Sequence, residues 1–432
     1  MKRKSFYRFW CGFFGFVIFV IASFFTVFSQ AQVQAQLASQ SCEEIRKVQG
    51  LLNCIIKNHP ELQRSAADIE ISKVSTRIAR ERPNPELDSK QVFGLPHSEE
   101  SLTSEVNLAH TVELGGKRQA RIQKSRAYQD LISSQHLSLQ EKILLESILN
   151  LYRLKQFKAE KDAFNETLQT FHHIQKLYRQ RPILDPEQKA TLSVFALAER
   201  ELNLKKVTLL KEEIDLKIDL EKAAGHSLIF DAQILPKKMK QWPTLKSSEE
   251  TESTRSSLLK KTKAELEDAK ASYQISKSEA WPNLKVGPSL EVQNQREGNS
   301  TSLGFNFSLP LPLYHQNQGH KQQALLEQKK AELNITLAKQ ELEFGKKKLL
   351  QEYQQSLKFL KAYQATLHIP TKHQEVESDF EKGLVSSSLV LEMHRQMIES
   401  TQAFHVQEMK ALEALWSFYT LEGRILQEKD NL

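Results

Sequence analysis

Glycine and proline are scarce, 14 and 13 residues in a chain of 432. That leaves long uninterrupted helices open and disfavours a compact α/β enzyme built on glycine turns. Only three cysteines occur, too few for a disulfide-framed scaffold, and no Cys-x-x-Cys pair, Gly-rich phosphate loop or His-Glu-x-x-His helix is present. His172 and His173 are adjacent and point about 100° apart on a helix, while His315 and His320, five apart, do not share a face. The scattered Asp, Glu and His of the helix faces read as solvated surface. No residue has a catalytic context, so an enzyme is disfavoured, and no cofactor or metal-ligand set is expected.

Acidic residues are missing before Glu43, whereas Lys2, Arg3, Lys4 and Arg8 supply four of the net +7 charges. The basic start, the apolar run Phe9 to Phe28 and the small-residue stretch that follows read as an export signal covering 1–35. Ser29-Gln30-Ala31 and Val33-Gln34-Ala35 are both plausible cleavage sites. An uncleaved anchor is the other reading of that run. Neither Cys11 nor Cys42 sits in a lipoprotein box. A chain cut near residue 35 keeps +3, with Lys and Arg interleaved with Glu along helices, so nucleic-acid binding is not expected. Cys42 and Cys54 could pair in an oxidising compartment if Cys42 lies in a lead-in that folds back; on one straight helix they would sit about 18 Å apart, too far to bridge.

What the chain does have is long helical stretches and four alternating strands. Helical sequence covers 42–81, punctuated at Asn58-His59-Pro60, with Ile69, Ile71, Val74 and Ile78 on one side. Arg82-Pro83-Asn84-Pro85 ends it. Strands over Glu86–Leu95 and Ser101–Val112 form a hairpin around Gly94–Ser98. Lys117 to Arg179 contains neither Pro nor Gly, which predicts a helix near 90 Å. After Arg181-Pro182-Ile183-Leu184, Asp185, Pro186 and Gln188 have the pattern of a capping box, and Gly225 ends the next helix. An irregular stretch follows, then helix over 251–280 and a strand from Leu284 to Val292.

The stretch Ser300–Gly319 organises the rest. Leu303, Phe305, Phe307, Leu309, Leu311 and Leu313 alternate with small or polar residues, giving one apolar face. Pro310 and Pro312 break the ladder, and Asn317-Gln318-Gly319 releases the chain into a helix to about 367. A break at His368-Ile369-Pro370 and the turn Gly383-Leu384-Val385-Ser386 interrupt helix that continues to about Lys429.

The two halves correspond. Pro-Asn recurs at 83–84 and 282–283, the hairpins exit at Gly115-Gly116 and Gln318-Gly319, and the helix turns fall at Pro182 and Gly383, all about 200 residues apart. We read a first repeat over 36–235, a linker over 236–250 and a second repeat over 251–432. Four strands cannot close a barrel and a membrane barrel needs about eight, so other copies of the chain must complete it. Three copies would supply twelve.

Arg82-Pro83-Asn84-Pro85-Glu86-Leu87, Val112-Glu113-Leu114-Gly115-Gly116-Lys117-Arg118 and Leu309-Pro310-Leu311-Pro312-Leu313 with Asn317-Gln318-Gly319 resemble motifs of the TolC-like outer-membrane factors, most of all the CzcC-type heavy-metal efflux branch. The resemblance covers about 43–427. It implies a trimer with an outer-membrane β-barrel continued by a periplasmic α-helical barrel. It implies the exit duct of a tripartite pump, working with a periplasmic adaptor (a membrane fusion protein) and an inner-membrane transporter of the resistance-nodulation-division type. It places adaptor docking at Gly383, Leu384, Val385 and Ser386, with Pro182, Ile183 and Leu184 at the first-half tip. Where some family members carry an aspartate ring this chain has Ser386-Ser387-Ser388-Leu389, so that gate feature is absent or carried elsewhere; Asp185 is a candidate for it, though it reads first as a helix cap. Leu303, Phe305, Phe307 and Leu309 are expected to face lipid, and Gly115, Gly116, Pro310, Pro312 and Gly319 to form the strand-to-helix junctions. The rival reading is an inner-membrane-anchored periplasmic coiled coil or adaptor, held by Phe9–Phe28.

Overall fold

The computed structural model describes residues 47–93, 102–231, 233–237, 239, 241–245, 255–295, 298–365 and 369–432. The export signal, Cys42 and the Gly94–Ser98 turn lie outside these. Helix α1 (Val48–Asn58) hands over to α2 (Pro60–Ala79) at His59, whose ring accepts a hydrogen bond from Glu61 N at 3.3 Å. Pro60 sits at the first helical position, where its missing N–H costs nothing. Strands β1 (Glu86–Phe93) and β2 (Leu102–Glu113) follow, then α3 (Lys117–Arg179) and α4 (Pro186–Ala224). The second half runs α5 (Ser257–Glu279), β3 (Asn283–Gln295), β4 (Gly298–Ser308), α6 (Gln318–Ala365), α7 (Ile369–Glu381) and α8 (Ser387–Leu421).

Helix α3 has 63 residues, about 95 Å at 1.5 Å per residue. Phe157, Phe164 and Phe171 recur on it every seven residues and are fully buried. That spacing is a coiled-coil seam, and it meets Val390, Ile398, Leu412 and Leu415 of α8 in one continuous core. Nearer the sheet, α6 buries Ala324, Ala331 and Ala338, also seven apart. Leu259 of α5 packs against Ala338 and Leu342 there.

The capping box at the start of α4 forms as the sequence predicts. Asp185 Oδ1 accepts from Gln188 N at 2.8 Å, and Gln188 Oε1 accepts from Asp185 N at 3.3 Å. The stretch after α4 is irregular but packed: Leu228 and Ile234 are buried, and the Tyr353 hydroxyl donates to Pro243 O at 2.8 Å. Cys54 is disulfide-bonded.

Three boundaries differ from expectation. α8 ends at Leu421, where Gly423 turns the chain in the left-handed region (φ 67°), and helix resumes over Ile425–Glu428, so the expected run to Lys429 is helical but broken once. Helix resumes at Ile369, so Ile369 and Pro370 open α7 instead of lying in a break. β4 ends at Ser308, so Leu309, Leu311 and Leu313 continue the alternation in sequence but belong to no strand.

The four strands form one antiparallel sheet in the order β1-β2-β3-β4. The hairpins from the two halves join through β2 and β3, with Val106 opposite Leu290 and Val112 opposite Leu284. Among the described residues β1 and β4 each have one open edge.

Candidate functional site

Two ends of the chain carry the candidate functions: the sheet with its junctions, and the helix turns at the far end. Register fixes the faces of the sheet. Leu303, Phe305 and Phe307 of β4 lie opposite Leu290, Pro288 and Val286 of β3. Val286 lies opposite His110, Leu290 opposite Val106, and Val106 opposite Ser89. Directly opposed residues share a face, so one side of the sheet is apolar from edge to edge, His110 and Ser89 among its few polar members. The other side carries Ser302, Asn306, Glu291, Lys285, Glu105, Asn107 and Asp88. Leu303, Phe305 and Phe307 are 86, 72 and 62% exposed. Leu309 is half-buried and follows the strand rather than belonging to it. β1 joins this order through Leu87 and Phe93 on the apolar side, with Val92 the exception on the polar side.

The junctions are built differently in the two halves. Gly115 and Gly116 both adopt positive φ, 71° and 74°. At Gly115 a side chain is excluded twice over, since a Cβ would fall 2.4 Å from Trp281 Cδ1. In the second half Gly319, of the Asn317-Gln318-Gly319 junction, lies in the first turn of α6, with open space where a Cβ would be. The left-handed residue is Asn317 (φ 56°). Asparagine tolerates that region through its short polar side chain. Here the side chain is buried and donates to Ser276 O at 2.9 Å, locking α6 to the end of α5. Pro310 and Pro312 lie in the irregular segment between β4 and Asn317.

At the other end, α7 finishes in a two-bond glycine cap. Gly383 N donates to Phe380 O and Leu384 N to Asp379 O, both at 2.9 Å, with Gly383 at φ 74°. The cap leaves Leu384 73% exposed, with Val385 half-buried and Ser386 exposed beside it. In the first-half turn Pro182 is exposed, Ile183 is 86% exposed and Leu184 is half-buried. The two turns sit at the same end of the bundle. Thr170 Oγ1 donates to Glu377 Oε1 at 2.8 Å, and His173 Nε2 lies 3.3 Å from Glu381. His172 faces Glu199 of α4 at 3.3 Å, so the neighbouring histidines point to different helices, as adjacent helix positions must.

Not all the charged groups are solvated. His394 is fully buried, with Nε2 2.8 Å from Glu377 Oε1 and Nδ1 3.3 Å from Thr167 Oγ1. His405 Nδ1 lies 2.6 Å from the buried Glu160, which also accepts from Arg153 Nη1 at 2.7 Å. Arg153 reaches Glu212 of α4 at 3.0 Å as well. Burial pushes the Glu160 carboxyl up, but hydrogen bonds from His405 and Arg153 outweigh it and hold the group below the usual carboxylate range. A signal for these sites exists in the sequence: His394 and His405 occupy core positions of the Val390, Ile398, Leu412 stripe, where a solvated side chain does not fit.

No protein-family model matches the chain, and no curated protein matches it. Solved structures do. A membrane protein from Pseudomonas aeruginosa superposes with a TM-score of 0.69 at 15% identity, covering 87% of this chain and 90% of its own. The open state of the MtrE outer membrane channel of Neisseria gonorrhoeae gives 0.69 at 13%, covering 88% and 90%. The outer membrane protein VceC of Vibrio cholerae gives 0.67 at 12%, covering 87% and 96%. Over most of its length this chain therefore shares the chain fold of these proteins, helix-rich with a small antiparallel sheet.

Proposed function

We propose that the chain is one protomer of an outer-membrane exit duct, the passive outer component of a tripartite efflux pump. The sheet carries this reading. A sheet with one apolar face, one polar face and two open edges is suited to closing with copies of itself, apolar side to lipid and polar side to water. Its fold likeness to an outer membrane channel such as MtrE supports the same reading, as does helix of about 95 Å leading away from the sheet towards the periplasm. We take Leu303, Phe305 and Phe307 as lipid-facing.

Exposed seams on the helices support self-association. Leu197, Leu204, Val207, Ile214 and Ile218 of α4 are exposed at heptad-like spacing, and Leu326, Leu333, Leu337 and Phe344 of α6 are too. Ile71, Val74 and Ile78 of α2 are equally uncovered. Isolated surface leucines are ordinary, but a/d-like rows on three helices call for partner helices. We infer a homotrimer with twelve strands and an internal duplication, one repeat over 36–235 and the other over 251–432, joined by 236–250. The 1–35 segment is taken as the export signal.

The tips at Gly383–Ser386 and Pro182–Leu184 are the proposed docking point for a periplasmic adaptor, itself joined to an inner-membrane transporter of the resistance-nodulation-division type. Gating would be a splaying of the helix pairs at that end on docking. The inferred cargo is heavy-metal cations, on the strength of the CzcC-like motifs; a wide duct needs no cargo-specific ligands.

The full chain in detergent is expected to run as a trimer whose gel mobility changes on heating. A monomer with no heat-modifiable form would overturn the duct reading, as would an intact Met1 in an inner-membrane fraction. Leu384→Glu is expected to cut adaptor crosslinking by roughly tenfold or more, as loss of a central apolar anchor does, with the trimer intact. Crosslinking that survives would remove the tip assignment.

A further inference from the structure

Where the sheet gives way to the helices, the junctions are tied into one collar. Arg118 Nε donates to Arg80 O at 2.9 Å, and Arg121 Nη2 to Glu81 O at 3.3 Å. Lys117 Nζ donates to Asn283 Oδ1 at 2.5 Å, and Asn317 Nδ2 to Ser276 O at 2.9 Å. These bonds bring the end of α2, the start of α3, the end of α5 and the start of α6 to one level. The collar has an excess of cations. Arg121 and Lys285 are paired with Glu113 and Glu86. Among the described residues Arg77, Arg80, Arg82, Arg118, Lys277 and Lys321 have no carboxylate within ion-pair distance. Trp281, Leu311, Leu313 and Tyr314 are exposed at the same junctions, beyond the last rungs of the sheet, Glu113 opposite Asn283 and Lys285 opposite Ser308.

We propose that this collar binds the anionic phospholipid headgroups of the periplasm-facing leaflet of the outer membrane. The proposal rests on the membrane reading above. The exposed Trp281, Leu311, Leu313 and Tyr314 flank β3 and β4 along the chain, next to a sheet read as lipid-facing, where amphipathic rings settle between hydrocarbon and water. The cations come next along the chain. Arginine and lysine keep their stems against the apolar surface while their heads reach phosphate, and each such charge adds attraction for an anionic leaflet. An acidic protein partner would satisfy the charge, but it would have no use for an apolar rim continuous with the lipid-facing sheet.

The test uses the full chain reconstituted in vesicles of equimolar phosphatidylglycerol and phosphatidylcholine, followed by mild extraction and mass spectrometry of the retained lipid. Phosphatidylglycerol is expected to be enriched roughly fivefold or more. The enrichment should fall to near parity in the Arg77→Gln, Arg82→Gln, Lys277→Gln, Lys321→Gln combination, and for the unaltered chain at high salt. Parity in the unaltered chain, with the heat-modifiable oligomer formed, overturns the collar and leaves the duct standing. So does an enrichment that the four-residue variant or high salt leaves unchanged. A chain that does not enter the bilayer as an oligomer overturns both readings.

Discussion

Leu303→Arg with Phe305→Arg should abolish the heat-modifiable oligomer, whereas Ser302→Arg on the same strand should leave it nearly intact. The three positions are neighbours on β4, and register separates them. Leu303 and Phe305 flank the middle of the sheet, where Gly304 lies opposite Ser289, and they share a face with Leu290 and Pro288. Arginine near the bilayer midplane of a β-barrel costs about 2–4 kcal/mol per site. Two such residues therefore remove about 4–8 kcal/mol, comparable to the whole stability of an ordinary domain. Ser302 belongs to the opposite face and pairs with Glu291, so an arginine there gains an acidic neighbour and faces water. Outer-membrane fractionation and unheated gel mobility of the two variants separate the faces. If both variants assemble, or if Ser302→Arg is the harmful one, the lipid-facing assignment is wrong.

Much of this architecture was legible because its signals are local. The absence of Pro and Gly from 117 to 179 gave α3, and Asp185-Pro186-x-Gln188 gave its neighbour's start, down to the reciprocal hydrogen bonds. Alternation gave β2, β3 and β4. What alternation could not give was how the hairpins join, since pairing of β2 with β3 is a contact between residues roughly 180 positions apart. The prolines did mark the end of β4, which stops at Ser308, one residue before the Leu309 that the alternation had included.

The junctions show the same limit. Asn317-Gln318-Gly319 was legible as the release into the helix, but not which of the three residues turns the chain. The structure uses Asn317, and the reason is tertiary: its amide has a buried acceptor waiting at the end of α5. Gly115 was found, but its necessity comes from Trp281, a residue of the other half. The charged residues were misread for a related reason. A polar side chain on a helix is solvated by default, and only the facing helix decides otherwise. His394 and His405 sit in a core stripe, and each has a glutamate presented to it from another helix.

Those buried pairs lead to the second large effect. Glu160→Leu should destabilise the helical part of the chain by about 3–5 kcal/mol at neutral pH, the cost of leaving buried charge uncompensated. Glu160 sits between Arg153 of its own helix and His405 of α8. Arg153 keeps Glu212, which places the expected loss at the lower end of that range. The pH dependence has a definite sign. The folded-state carboxyl lies below its ordinary value, so its contribution is complete above the unfolded-state value, near 4.3, and is lost as pH falls through the folded-state value. The gap between the original chain and the variant should therefore be wide at pH 7 and narrow below about pH 4. Replacing Arg153, Glu160 and His405 together by apolar residues of similar volume should recover most of the loss, because removing all the charge also removes the desolvation that the ion pair had to offset. Thermal unfolding of the detergent-solubilised protein by circular dichroism, at the two pH values, provides the comparison. An unshifted midpoint in Glu160→Leu would mean that the α3–α8 seam holds on its apolar residues alone. A triple variant as unstable as the single one would mean that the network positions the helices rather than merely neutralising itself.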